Sequence, residues 1–169
     1  MKSKSIDGFT KKRFSALPLA ISGFTSYLAN FPNGISALKA NFYLAQAYFA
    51  EGLGNNAIPN YEYVIGKSRN EFTEQSLARL SEIVLKKNDY AKAIPVLKRL
   101  ETEADFPQNV TFAQSNLMKS YYEQKDYPNA VIYADKVLAN SKIEDRIKSD
   151  AQIIVARSAI KSNDEAKAK

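Results

Sequence analysis

Few kinds of residue in this 169-residue chain are equipped for chemistry. Histidine and cysteine are both absent, which removes the commonest general base, the commonest metal ligand and every thiolate. Carboxylates, Asn and Gln remain as ligands, a set that suits hard cations. Glu101, Glu103 and Asp105 form an acidic cluster whose chemistry would be a weak Ca²⁺ or acid site. The cluster lacks the Ca²⁺-loop spacing with its required Gly, so it reads as a solvated helix end. Gly66-Lys67-Ser68 imitates the close of a phosphate-binding loop. That loop needs a Gly five residues before the Gly-Lys pair, where Tyr61 stands, so Gly66 reads as a helix terminator. Serines are numerous, but without His no familiar relay activates them. The chain reads as a non-enzyme with no cofactor and no metal.

Charge narrows the partners. The 24 basic and 18 acidic side chains leave a net +6. Residues 1–13 hold Lys2, Lys4, Lys11, Lys12 and Arg13 against Asp7, so most of the excess sits in a short leading segment. The remainder carries 19 basic and 17 acidic groups with mixed signs. A nucleic-acid reader needs a basic stripe across its fold, and none is visible, so no nucleic acid is expected. Lys11-Lys12-Arg13 ahead of the apolar stretch Phe14 to Phe24 has the outline of an export signal. Ser15, Pro18 and Ser22 dilute that stretch, and a repeat pattern explains the same residues better. No run approaches the ~20 apolar residues of a transmembrane helix.

The elements that must position these groups are helices. Apolar residues recur at spacings of three and four almost throughout, as in Leu17, Ile21, Phe24 and Leu28 or Leu77, Leu80 and Val84. Breaks at Pro32-Asn33-Gly34, Gly52-Leu53-Gly54, Gly66-Lys67-Ser68, Lys87-Asn88-Asp89 and Lys125-Asp126 predict helices over 14–30, 35–52, 56–67, 71–87, 90–104, 109–124, 127–140 and 144–161. The segments repeat. Asn88-Asp89-Tyr90-Ala91-Lys92-Ala93-Ile94 returns 37 residues later as Lys125-Asp126-Tyr127-Pro128-Asn129-Ala130-Val131. A period in this range marks stacked supersecondary units, which make binding surfaces more often than catalytic pockets.

First helices carry Leu44-Ala45-x2-Tyr48, Leu80-Ser81-x2-Val84, Leu117-Met118-x2-Tyr121 and Val155-Ala156-x2-Ala159, spaced by 36, 37 and 38 residues. Second helices carry Ala20-x3-Phe24, Ala57-x3-Tyr61, Ala93-x3-Leu97 and Ala130-x3-Ala134, and Pro32 closes the first unit. These pairs resemble tetratricopeptide repeats, although the chain has no Trp and places Met118 where the pattern is usually small. The resemblance implies an all-α, right-handed α-α superhelix of about eight antiparallel helices. It divides the chain into a basic leader or incomplete helix (1–13), a repeat domain (14–165) and a tail (166–169). The domain would hold the second helix of a first repeat, three full repeats and a capping helix. The run from Ala20 to Pro32, with Phe42-Tyr43-Leu44-Ala45-Gln46-Ala47-Tyr48, is similar to bacterial cell-envelope members of that family, of the Tol-Pal-associated periplasmic and outer-membrane-assembly lipoprotein types.

In such an array the first helices line a concave face. The positions opposite their core stripes are Lys39, Phe42, Gln46 and Phe49, then Gln75, Arg79, Glu82 and Lys86, then Phe112, Asn116, Lys119 and Tyr122. Aromatic surface mixed with amides and charges suits an extended peptide or a partner helix. Relatives that hold a terminal carboxylate use Lys and Asn where this chain has Phe42, Gln46, Ala78 and Glu82, which argues against tail capture. The expected function is a non-catalytic scaffold for a protein or peptide partner, as a piece of an exported cell-envelope protein. A cytoplasmic location, a self-association module forming a homo-oligomer and a recruiting domain of a larger enzyme are the alternatives.

Overall fold

The structure is a computed structural model that describes residues 6–167, with side chains from 16 to 163. Among the described residues every regular element is a helix: α1 (Ile6–Asn30), α2 (Ala37–Ala50), α3 (Gly54–Ile65), α4 (Thr73–Lys86), α5 (Tyr90–Glu103), α6 (Pro107–Glu123), α7 (Tyr127–Ala139) and α8 (Asp145–Lys167). Each predicted segment has its counterpart. The terminal helices are longer than expected: α1 starts at Ile6 instead of 14, and α8 runs on to Lys167 past the predicted 161. Residues 6–13 of the expected leader are therefore helical, and residues 166 and 167 of the expected tail continue α8. Residues 1–5 and 168–169 lie outside the described residues.

The turns between paired helices explain why the period exists. Residues 51–53, 87–89 and 124–126 link α2 to α3, α4 to α5 and α6 to α7. The middle residue of each has a positive φ: Gly52 at 76°, Asn88 at 56° and Lys125 at 61°. The residue after it donates its N–H back to the carbonyl of Tyr48, Val84 or Tyr121, at 2.8, 3.0 and 2.9 Å. This left-handed residue with a long return bond satisfies carbonyls that the helix end leaves free. Asp89 and Asp126 then cap the next helix, accepting from the N–H of Lys92 and Asn129. The Asn/Lys-Asp-Tyr signature is thus one closing turn plus one opening cap, used twice.

Left-handed φ favours Gly, because a Cβ there crowds the following carbonyl. Lys125→Gly is expected to raise the unfolding free energy by about 0.5 kcal/mol, the relieved strain outweighing the extra freedom of the unfolded chain. Urea denaturation compares it with Gly52→Ala, which should move the opposite way. No neighbour lies within 4 Å of an added Cβ at Gly52, so backbone strain alone would act there.

The chain forms two compact units, Met1–Ile83 and Val84–Lys169. In the first, α2 packs on α1 and on α3. Ala45 of α2 and Tyr61 of α3 are both fully buried, a small residue and a large one in one hairpin. In the second unit α6 packs on α5 and α7, α7 on α8, and α6 also touches α8. There the sizes are reversed, with Met118 of α6 and Ala134 of α7 both fully buried. The unusual Met118 is offset by a small partner helix, because a close-packed interior fixes the combined volume more tightly than either residue.

Candidate protein-interaction surface

In the first unit the structure brings together Phe49, Arg79 and Glu82. The Arg79 guanidinium lies 4.8 Å from the centre of the half-buried Phe49 ring. It also donates to both carboxylate oxygens of Glu82, at 2.9 and 3.0 Å. Arg79 and Glu82 keep 37% and 39% of their side-chain surface open, so the three form an accessible aromatic–cation–carboxylate patch. Gln75 is exposed on the same helix. Gln46 is half-buried, and its Nε2 has no protein acceptor. Beneath them lies Tyr61, whose hydroxyl also lacks a protein partner. Burial drives its pKa far above the ordinary value, Arg79 pulls it part of the way back and Glu82 adds to the rise. Tyr61 is neutral at any working pH.

Two residues expected on this face stand elsewhere. Phe42 is 5% exposed, stacked on Phe72 at 4.4 Å and 22°, and belongs to the core. The cause is the α3–α4 loop: the Phe72 and Asn70 N–H groups donate to Asn70 Oδ1 and Thr73 Oγ1, a local fold that lays Phe72 over Phe42. Tyr43, one residue on, takes the open place at 41% exposure and stacks on Phe24 of α1 at 6.1 Å. Lys39 sits 6.0 Å above the Tyr43 ring, in the α1/α2 groove and not with Phe49. The Phe24–Tyr43–Phe42–Phe72 array went unnoticed in the sequence because its members come from three separate segments. A further cleft of about 650 Å³ has Asn41, Tyr48, Asn60 and Tyr63 in its lining. There Asn60 donates to Asn41 Oδ1 and Asn41 to the Ala37 carbonyl, a paired polar wall.

In the second unit Lys86 is exposed near the end of α4. Phe112 and Asn116 are half-buried on α6, and Asn116 donates to the carbonyl of Phe112 one turn back. Lys119 reaches Asp150 of α8 at 2.8 Å, and that hydrogen bond holds the Asp150 carboxyl below its usual range. Tyr122 is half-buried against Tyr127, with ring centres 5.8 Å apart. These four share a helix, and the polar groups of Lys119 and Asn116 are engaged by partners.

The acidic cluster is not a solvated helix end, and Glu101 corrects that expectation. Its carboxylate is 12% exposed and accepts from Lys136 at 2.7 Å, from Tyr133 at 2.9 Å and from Gln114 at 3.1 Å. Burial raises its pKa, and the three hydrogen bonds with the Lys136 charge outweigh burial, leaving the carboxyl below the ordinary value. Tyr133 is pushed far upward by burial, and by Glu101, beside which a phenolate would stand. Tyr133 is therefore the donor and Glu101 the acceptor. Glu103 is engaged by Arg99 at 2.8 Å. Among the described residues no three His, Cys, Asp or Glu side chains gather as a metal site, and no helix is long and apolar enough to cross a membrane.

Comparison with known proteins settles the kinship. The sequence profile of the YfiO family, described as outer membrane lipoprotein, matches residues 70–168, more than half of the chain. The chain belongs to the YfiO family. No curated protein matches it in sequence. Among solved structures the crystal structure of MamA is similar at a TM-score of 0.62 and 16% identity, over 97% of this chain and 99% of that one. A Podosopora anserina putative kinesin light chain variant with nearly identical TPR-like repeats is similar at 0.57 and 17% identity, over 92% of this chain and 83% of that one. This member of the YfiO family therefore has the tetratricopeptide-like helical repeat fold, the fold of protein-interaction scaffolds.

Proposed function

We propose that this chain is a non-catalytic receptor of the cell envelope whose first-helix faces hold an extended peptide or a partner helix. The observation that carries the reading is the Phe49–Arg79–Glu82 patch. It is a half-buried aromatic ring with a half-open cation over it and a carboxylate beside it, spanning first helices α2 and α4. A peptide laid across it meets apolar area at Phe49, an anchor for its carbonyls at Arg79 and an acceptor for its N–H groups at Glu82. Aromatic and Arg side chains are the residues that most often dominate interface energies. Membership of an outer membrane lipoprotein family supports the envelope as its location. Gln46 and Gln75 extend the same surface, and Phe112, Asn116, Lys119, Tyr122 and Lys86 give the second unit its own polar and aromatic face.

Arg79 is half open, so its surface ion pair and its cation–ring contact each contribute at most about 1 kcal/mol to folding. The double change Phe49→Ser with Arg79→Ala should therefore leave the helical circular dichroism intact. A photo-crosslinking amino acid at Gln75, in the organism's own envelope, should label a protein partner. The same probe at exposed Ile132 on α7 should not. Introducing the double change should weaken capture at Gln75 at least tenfold, about 1.4 kcal/mol of binding. Equal labelling at both positions, or labelling unaffected by the double change, would refute this reading.

A further inference from the structure

Both units contain the same three-helix motif, and one groove of it is filled in the second unit and open in the first. A single sequence offset carries Ala20 to Ala93, Leu44 to Leu117 and Ala57 to Ala130. So α1, α2 and α3 correspond residue by residue to α5, α6 and α7, and in each trio the middle helix packs on both neighbours. In the second unit the groove is filled from within. The Tyr133 ring of α7 is 6% exposed and stacks on Tyr121 of α6 at 5.6 Å and 20°. Its hydroxyl donates to Glu101 of α5, and Gln114 and Lys136 donate to the same carboxylate.

In the first unit the ring and both charges of that lock are missing. Asn60 stands in the place of Tyr133, so a short amide replaces the phenol. Leu28 stands in the place of Glu101 and Tyr63 in that of Lys136. Tyr48, the counterpart of Tyr121, keeps the aromatic platform, and it lines the open cleft of about 650 Å³ together with Leu28, Asn41, Asn60 and Tyr63. Asn41, in the place of Gln114, is 7% exposed and held by the Ala37 carbonyl and by Asn60. The Asn60–Asn41 bond uses one N–H of Asn60 and leaves its Oδ1 as an acceptor. What the second unit supplies from its own chain, a ring and a hydroxyl, the first unit lacks.

We propose that the α1/α2/α3 groove is a second peptide site, which seats a tyrosine side chain of a partner polypeptide on Tyr48 as Tyr133 sits on Tyr121. The incoming ring takes the volume that Asn60 leaves, and its hydroxyl donates to an Asn60 or Asn41 amide oxygen where Tyr133 uses Glu101. No Asp, Glu, Lys or Arg lines this cleft, so a neutral ring with one donor suits it better than a carboxylate or an ammonium. A neighbouring cleft favours a polypeptide over a free small molecule. It measures about 510 Å³, shares Thr25 and Tyr48 with the first, and continues along Ile21 and Pro18 of α1 to Glu51 and Leu53. The two clefts together give an extended segment its length, and Glu51 offers an ion-pair partner to a basic residue beside the tyrosine. The exposed Asn55 and Asn56 at the rim offer amides to its backbone. This site uses neither Phe49 nor Arg79, so it is independent of the first-helix reading.

The test is a titration with a blocked pentapeptide that carries tyrosine at its centre and lysine after it, followed by the side-chain amide signals in ¹H–¹⁵N NMR. The signals of Asn41 and Asn60 should move. The tyrosine peptide should bind about fivefold tighter than one with leucine at the centre, the effect of one ring stack and one hydrogen bond. Asn60→Tyr returns the missing ring from within, as α7 does, and should abolish binding with helicity unchanged. Tyr48→Leu keeps an apolar floor without the platform, and should reduce the tyrosine peptide to the affinity of the leucine peptide. The double change Phe49→Ser with Arg79→Ala should bind as wild type does. Asn41 and Asn60 signals that stay still up to millimolar peptide overturn the proposal. So does equal affinity for the leucine peptide, full binding by Asn60→Tyr, or a Tyr48→Leu variant that still prefers tyrosine. Loss of binding in the double change also overturns it, and places the peptide on the first-helix face instead.

Discussion

Phe42→Ala should lower the stability of the first unit by about 3–4 kcal/mol, the range of core Phe truncations. The ring is 5% exposed, stacks on Phe72 at 4.4 Å and meets Tyr43 edge-on at 5.3 Å and 66°. Truncation removes the apolar burial, opens a cavity beside Phe72 and loses aromatic contacts that add about 0.5–1.5 kcal/mol beyond area. Two-state domains are typically stable by only about 5–15 kcal/mol, so the loss is a large fraction of the whole. Phe112→Ala, at a half-buried position without a stacked ring partner in the structure, should cost clearly less. Urea denaturation followed by circular dichroism compares the two. If Phe42→Ala cost no more than Phe112→Ala, Phe42 would be a surface residue and its stack with Phe72 would contribute nothing. The comparison also governs binding experiments, because a substitution at Phe42 disturbs the scaffold before it can report on a ligand.

The fold was legible because its signals are local. Asp89 and Asp126 cap the helices that follow them by accepting from the N–H three residues ahead, and Asn88 and Lys125 end helices within one turn. Such motifs are contained in a single window of sequence, so helix existence and the repeat period follow from it. The extra turns of the terminal helices were missed for the same local reason. Charge in residues 6–13 argues against helix, yet α1 begins at Ile6 and continues through them. Helix propensity is a weak preference that neighbouring turns and tertiary packing override.

The surface was less legible, because what covers a residue is not written near it. Spacing from Lys39 by threes and fours puts Phe42 outward, but Phe72, thirty residues away, lies on it. The spacing rule describes the faces of one helix and carries no information about the loop that packs against them. Arg79 was readable as an outward position, whereas its seat over Phe49 depends on the α2–α4 relation. Glu101 did leave a trace. Ala93 and Leu97 are buried, and Glu101 continues that stripe four residues on, so its place on a core face was visible. Gln114 likewise heads the α6 stripe of Leu117, Met118 and Tyr121. An ionisable residue on a core stripe calls for partners, and Tyr133 and Lys136 lie on the matching face of the next second helix.

Glu101→Ala should cost the second unit about 2 kcal/mol near neutral pH, because it leaves buried donors without an acceptor. Tyr133 is 6% exposed and its hydroxyl has Glu101 as acceptor, as does the Gln114 amide. Lys136 is 43% exposed, so water replaces its lost partner and its share stays under about 1 kcal/mol. The pH dependence follows from the direction of the shift. The folded carboxyl titrates below its ordinary value of 4.5, which is its value in the unfolded chain. Its ionised form therefore adds stability that is fully present above that value and is lost as pH falls through the lower, folded pKa. The gap between wild type and Glu101→Ala should be constant from pH 7 down to about 5 and narrow below it. Glu101→Gln should lose the pH-dependent part while keeping an oxygen for Tyr133, and so fall between the two at neutral pH. Urea midpoints taken from pH 7 to pH 3 measure all three. A gap that stays the same to pH 3 would mean that the charge of Glu101 does nothing and that only its packing matters. A gap that closes would identify a single carboxylate tying α5, α6 and α7 together, a lock that leaves the first-helix faces free for a partner.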